Sequence, residues 1–233
     1  MELAPPSDRR LDVAVRASLG WYEDVFRVHR IRTRYEGGLW SACGEPPRWH
    51  SAAKTVHPDV PEARVVGAVE QFESCSVADS HGTLGLERHG FHVLFRATWL
   101  FRAAPVSSTP SWPDGWSVVS DEDELAAWNT AQDTTDVLVP ALLQHPRFTF
   151  LVRHASAQMV AGAVLHRVDD ALELSNTWSR AEEADEIPSM LRCADVLYSD
   201  LPVVGYSRND TLRSYTDAGF DTLGPQVVWV REK

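Results

Sequence analysis

The stretch Thr211-Leu212-Arg213-Ser214-Tyr215-Thr216-Asp217-Ala218-Gly219-Phe220 repeats the plan of an earlier one, Thr83-Leu84-Gly85-Leu86-Glu87-Arg88-His89-Gly90-Phe91. Each reads as an amphipathic helix ending at Gly-Phe. Each then runs into a β-rich segment that closes on Trp and Arg, at Trp99-Leu100-Phe101-Arg102 and at Trp229-Val230-Arg231. The Gly-Phe pairs lie 129 residues apart and the Trp residues 130 apart. Glycine ends helices because it accepts the left-handed cap conformation. One such ending is common, but two at matching offsets indicate a duplicated supersecondary unit.

Working outward, Ala103–Gly115, with three Pro and three Ser, separates the copies and reads as a linker. The expected organisation is a first half at 1–102, a linker at 103–115 and a second half at 116–233. In the first half we expect a helix over Asp12–His29, strands at Gly38–Cys43 and Ser51–Val56, a helix over Val65–Ser74 and a strand at Cys75–Ala78. In the second half, Trp116–Val119 reads as a strand, and Ser120 or Asp121 caps a helix with carboxylates in its first turn. Strands follow at Phe148–Arg153, Met159–Arg167 and Ala171–Trp178, with Asp169-Asp170 at a hairpin turn. A helix over Pro188–Tyr198, a strand at Pro202–Gly205 and the second Gly-Phe helix complete an α/β (α+β) chain.

With 44% hydrophobic residues and nine Trp, the 233-residue chain can bury a substantial core. The segment Met1–Arg10 is polar and contains Pro, unlike a signal peptide. No apolar run approaches the ~20 residues of a membrane span. Three widely spaced cysteines, Cys43, Cys75 and Cys193, suit a reducing cytosol better than a disulfide framework. Residues 1–113 balance 13 Lys/Arg with 13 Asp/Glu, whereas 114–233 carry 9 against 20. The second half thus holds the whole excess of the −11 net charge, which argues against general nucleic-acid binding. The one basic island is Arg27, Arg30, Arg32 and Arg34.

The element order, ending strand–helix–Gly-Phe–strand, resembles the GNAT superfamily of N-acetyltransferases. Tyr215 stands four residues before Gly219-Phe220, a spacing found in many members. The resemblance covers most of the chain, as two tandem copies, and implies two mixed sheets flanked by helices. It also implies an acetyl-CoA or related acyl donor and a small-molecule amine acceptor. In members that use acetyl-CoA, a Gly-containing loop opening a helix holds the pyrophosphate on backbone N–H groups. After Val56-His57-Pro58-Asp59, the run Arg64-Val65-Val66-Gly67-Ala68-Val69 matches Arg-x-x-Gly, with Val69 where Gly or Ala is expected. The equivalent second-half stretch, Ser179–Glu186, has no glycine and four carboxylates. Each close pair of like charges there costs a diphosphate about 1 kcal/mol or more.

By the same resemblance Tyr215 is the candidate general acid that protonates the leaving thiolate, while the first half has Leu86 in that place. His50 and His57 flank a strand that would line the acceptor pocket, and both are candidate bases. Asp79-Ser80-His81 are sequence neighbours, which seldom converge as a triad. Cys43, His50 and His57 lack paired metal-ligand spacing, and no metal is expected. Two alternatives remain open: an aminoacyl-tRNA donor, favoured only by the Arg27–Arg34 island, and a non-catalytic tandem binding module.

Overall fold

The computed structural model describes residues 8–105, 110–180 and 186–233. Residues 106–109 of the expected linker and 181–185 of the acidic stretch lie outside them. Among the described residues, five α-helices and eleven strands follow in order. The first half holds α1 (Arg9–Val28), β1 (Thr33–Glu36), β2 (Leu39–Ala42), β3 (Ala53–Thr55), α2 (Glu62–Ala68), β4 (Cys75–Asp79) and β5 (His92–Arg102). The second holds β6 (Trp116–Val118), α3 (Glu122–Gln132), β7 (Phe148–Ala155), β8 (Gln158–Arg167), β9 (Leu172–Ser179), α4 (Ile187–Leu197), β10 (Val203–Ser207), α5 (Leu212–Asp217) and β11 (Asp221–Arg231).

The two Gly-Phe endings are the same device at the level of the backbone. Gly90 has φ 81° and Gly219 has φ 92°. Gly90 N–H donates to Glu87 O and Phe91 N–H to Leu86 O; Gly219 N–H donates to Thr216 O and Phe220 N–H to Tyr215 O. The left-handed residue turns the chain back so that the last carbonyls are satisfied. In the first copy the helix is a 3-10 turn, Leu86–His89, rather than an α-helix.

Two separate sheets were expected, whereas the strands join in one sheet of order β1-β2-β3-β4-β11-β5-β10-β9-β8-β7-β6. The physical reason is an exchange of final strands. β11, which closes the second half, lies between β4 and β5; β5, which closes the first, lies between β11 and β10. Both are antiparallel to their neighbours and pair with each other from Asp221↔Phe101 to Val230↔His92. The α/β class stands, with the final strand of the chain set between β4 and β5 in a single sheet.

The sheet has two parallel junctions, β3 with β4 and β9 with β10, each with two register pairs. The last are Lys54↔Ala78 and Glu173↔Val204. Cross-strand from them sit Trp40 and His166, respectively. Register alone therefore puts Lys54 and Glu173 at corresponding places.

Helix α1 covers one face of this central region. Asp8 caps it by accepting from Arg10 N–H, and its buried stripe runs through Ala14, Val15, Ser18, Trp21, Asp24 and Val25. On the opposite face α4 packs against Leu172, Leu174 and Leu100, and α2 packs against Trp229 and Phe91. A partly buried bidentate ion pair lies there: Arg102 of β5 donates twice to Asp195 of α4, at 2.8 Å each.

Candidate functional site

Four heavily buried ionisable groups lie beneath α1. Lys54 and His166 are fully buried, Asp24 is 1% and Glu173 3% exposed. Leu172-Glu173-Leu174 alternates as a strand should, so Leu172 and Leu174 meet α4 while Glu173 points the other way, toward α1. Ser18 is the buried hydroxyl of α1 on this side, and Glu173 Oε2 has no hydrogen-bond partner. Burial pushes this carboxyl well above the ordinary range, toward neutrality, and the nearby charge of Lys54 works against that rise.

Lys54 Nζ also lacks a hydrogen-bond partner. It lies 5.2 Å from the ring centre of Tyr22 and 5.1 Å from that of Trp99. Burial lowers its pKa, opposed by Glu173 and then by Asp79. Two aromatic faces thus stand in for water around a buried ammonium.

A chain of groups leads from Glu173 outward. His166 Nδ1 is 3.9 Å from Glu173 Oε2, and His166 Nε2–H donates to Asp24 Oδ2 at 3.0 Å. Burial keeps the imidazole neutral despite Asp24. Asp24 in turn meets Arg27 at 2.6 Å, Arg147 at 3.4 Å and His145 at 3.7 Å. Burial alone would raise the Asp24 carboxyl, but the His166 hydrogen bond and the nearby Arg147 guanidinium help to hold it low. Arg27 of the basic island is therefore engaged in an internal ion pair.

The second feature is a bulge in β9. Ser175 pairs with Val164 and Trp178 with Gly162, leaving Asn176 and Thr177 without a register partner on β8. Asn176 takes φ 49°, the left-handed region that asparagine tolerates. The bulge reverses which face each side chain meets. Thr177 therefore reaches Tyr215 of α5, with the two hydroxyl oxygens 3.1 Å apart. Gly205, on the facing strand β10, is needed because a Cβ there would lie 2.9 Å from Leu174 O.

The corresponding opening of the first half is stitched shut. Thr55 Oγ1 donates to Asp79 Oδ1 at 3.4 Å and accepts from Ser80 N–H at 2.9 Å. His81 Nε2–H donates to Val56 O at 3.2 Å. Asp79 also accepts from the N–H groups of His81, Gly82 and Leu84. Asp79-Ser80-His81 is thus a loop clamp, in keeping with the doubt about a triad.

Sequence reasoning placed Arg64–Val69 in a loop opening a helix. The structure corrects this: these residues are α2 itself and its C-terminal cap, and α2 begins at Glu62 after Pro61. Arg64 and Val65 donate their N–H groups to Pro61 O and Val69 donates to Val66 O. Val65 and Val69 are core residues, and a Cβ on Gly67 would meet nothing within 4 Å. The Glu62 carboxylate accepts from Gly85 N–H and pairs with Arg88 beside this helix start.

The three catalytic candidates sit in three settings. Tyr215 is buried against Phe220 and β9. His50 accepts from Trp21 Nε1–H at 3.0 Å and donates from Nδ1 to Arg48 O at 3.2 Å, so both ring nitrogens are committed. Burial pushes its pKa down to about 4. His57 is exposed on the loop after β3, against Gly38. Lys54, Glu173 and His166 were missed. A signal for them existed in α1, where Ser18 and Asp24 interrupt the buried stripe.

Two hollows adjoin these elements. One of about 530 Å³ lies at the start of α4, with Arg153, Glu186, Ser189 and Arg192 in its wall. Glu186 there is ion-paired with Arg153. The other, of about 450 Å³, lies between β2 and α2 beside Cys43 and Gln71. Among the described residues no cluster of three or more His, Cys, Asp or Glu could hold a metal, and no helix is long and apolar enough to cross a membrane.

No family model and no curated protein sequence matches the chain. Solved structures do. A GCN5-related N-acetyltransferase from Kribbella flavida is 16% identical, covering 95% of this chain and 96% of its own, with TM-score 0.68. A putative acetyltransferase of the GNAT family from Novosphingobium aromaticivorans is 16% identical over 97% and 100%, with TM-score 0.62. A GCN5-related N-acetyltransferase from Sphaerobacter thermophilus is 14% identical over 84% and 77%, with TM-score 0.52. These similarities establish that this chain has the GNAT fold.

Proposed function

We propose that the protein is an N-acyltransferase that moves an acyl group from acyl-CoA to a small-molecule amine, with its reaction centre in the second half. The division into halves at 1–102 and 116–233 is part of this reading. The observation that carries it is the arrangement on β9. Glu173 lies on the α1 face just before the bulge, and Thr177–Tyr215 lies on the other face just after it. One strand thereby offers a proton acceptor and a proton donor on either side of the gap that opens toward β10.

The chemistry needs both. An ammonium must lose a proton before its lone pair can attack the thioester carbonyl, and a buried carboxyl poised near neutrality suits that task. This reading gives the oxyanion to backbone N–H groups at the bulge. As the C–S bond breaks, the thiolate takes a proton, for which Tyr215 is the group in place. The stitched first half supports assigning it a supporting rather than a catalytic role. Against the expectation from the acidic stretch, this reading gives the donor phosphates to Arg192 of α4 and Arg153 of β7, in the wall of the hollow at the start of α4, rather than to Arg64–Val69, because Arg153 pairs with Glu186 there.

The test is thiol release from acetyl-CoA in the presence of a primary amine such as spermidine. Amine-dependent release by the wild-type chain, lost in Glu173→Gln, supports the reading. Release that is independent of Glu173 removes the proposed base, and no release with any primary amine overturns the reaction.

A further inference from the structure

We infer that His166 is a positioning residue behind Glu173: its bare Nδ1 faces the Glu173 carboxyl and takes over a first proton, so that the pair together accepts the two protons an amine loses on acylation. This deepens the reading of Glu173 as proton acceptor and rests on it.

The sheet itself brings the pair together. His166 of β8 and Glu173 of β9 stand directly opposite each other in the antiparallel register. Side chains so placed share a face, with Cβ atoms about 5 Å apart. Both are buried under α1, His166 0% and Glu173 3% exposed. Nδ1 and Oε2 lie 3.9 Å apart, and neither has a hydrogen-bond partner. The gap is about 1 Å beyond a hydrogen bond, and catalytic contacts of this kind tighten once substrate is bound.

The ring is held so that this nitrogen is the accepting one. Nε2–H donates to Asp24 Oδ2 at 3.0 Å, and burial keeps the imidazole neutral, which leaves the lone pair on Nδ1. Asp24 thereby fixes the tautomer, as an orienting carboxylate does for a catalytic imidazole. Trp21 packs edge-on against the ring at 5.7 Å and Phe148 lies across it at 4.6 Å. Gly20 lets α1 sit this low, since a Cβ there would lie 2.8 Å from Val168 Cγ1 and 3.5 Å from His166 Cε1. The charged groups around the ring are Asp24 of α1 with its partner Arg27, His145 and Arg147 ahead of β7, and Glu173 of β9.

The proton count gives the pair its role. An ammonium loses one proton before its nitrogen attacks the thioester and a second as the amide forms, whereas one carboxylate holds one. In the first step an N–H bond of the ammonium breaks and an O–H bond forms on Glu173. That O–H then breaks toward Nδ1, and the new N–H makes His166 an imidazolium between Asp24 and Glu173. Glu173 is again an anion and takes the second proton. Tyr215 protonates the departing thiolate. Both held protons return through Glu173 to solvent, from which Tyr215 regains its own, so one proton is released per amide formed.

The experiment is ¹⁵N-histidine NMR of the full chain at pH 7, with the His166 signals assigned by His166→Gln or, if that does not fold, His166→Asn. Nε2 should be protonated and Nδ1 bare, and the Nδ1 signal should move in Glu173→Gln. A protonated Nδ1, or one that ignores Glu173→Gln, overturns the inference. Acetyl transfer from acetyl-CoA to spermidine tests the role. In His166→Gln, whose amide N–H can still serve Asp24, kcat should fall ~10²-fold with the spermidine KM unchanged. Glu173→Gln/His166→Gln should be no slower than Glu173→Gln alone, because the two residues act as one acceptor. Losses that multiply would mean a separate structural role and overturn the inference. Full transfer in His166→Gln sinks the inference alone. Absence of transfer in wild type, with Nδ1 bare and sensing Glu173, sinks the reaction and with it the two-proton role.

Discussion

Lys54 and Glu173 occupy the same place in the two halves of the sheet, each the last paired residue before a parallel junction opens, and both turn inward under α1. In one half the cross-strand neighbour is Trp40, in the other His166. A lysine and a glutamate thus stand at corresponding register positions, both buried beneath one helix. Strand exchange makes this possible, because β5 and β11 bind the halves into one sheet.

Glu173→Gln keeps shape and hydrogen-bonding capacity but removes the proton acceptor. Turnover of acetyl-CoA with spermidine should drop by ~10²-fold or more, the usual scale for losing a general base. The dissociation constant for acetyl-CoA should hardly change. A variant with full turnover would leave Glu173 as a buried structural carboxylate.

Tyr215→Phe removes only the hydroxyl that meets Thr177. We expect turnover to fall by ~10²-fold with donor binding retained, because the hydroxyl acts as the leaving group departs. Unchanged turnover on the same substrate pair would mark the residue as packing against Phe220.

Stability should fall on acidification through His50. Its folded pKa, about 4, lies below the ordinary value of 6.5. Between those pH values the unfolded chain binds a proton that the folded chain refuses, so stability decreases as pH falls from 6.5 toward 4. The full effect is roughly 3 kcal/mol at ~1.4 kcal/mol per pH unit. Urea unfolding of wild type and His50→Gln at pH 7 and pH 4.5 measures it. The wild type should lose more stability than the variant; equal losses would mean the proton binds elsewhere.

The two helix endings should respond alike. Gly90→Ala and Gly219→Ala each add a Cβ that meets nothing within 4 Å, so only the positive φ opposes it. Each should cost about 1 kcal/mol in urea unfolding. A cost near zero at one of them would mean that its cap relaxes.

Much of the fold was legible because its signals are local. The Gly-Phe endings, the Asp121 cap of α3 and the Asp169-Asp170 hairpin turn declare themselves within ten residues. The strand exchange does not, since nothing in β5 or β11 states which distant neighbour it joins. Arg64–Val69 misled for a different reason: Arg-x-x-Gly is too short to distinguish a loop from the helix that follows Pro61. Lys54 and Glu173 were hidden by alternation. In Ala53-Lys54-Thr55 and Leu172-Glu173-Leu174 the charged residue reads as the solvent face, and only α1, packed on that face, makes it the interior. Edge strand β1, exposed throughout, offered no apolar pattern to find.

The most direct test of the central claim is calorimetric titration of acetyl-CoA into the full chain, wild type beside Arg192→Glu and Gly67→Glu. The account predicts saturable binding at one molecule per chain, lost in Arg192→Glu and retained in Gly67→Glu. Absence of binding by the wild type, two molecules per chain, or loss only in Gly67→Glu would contradict it.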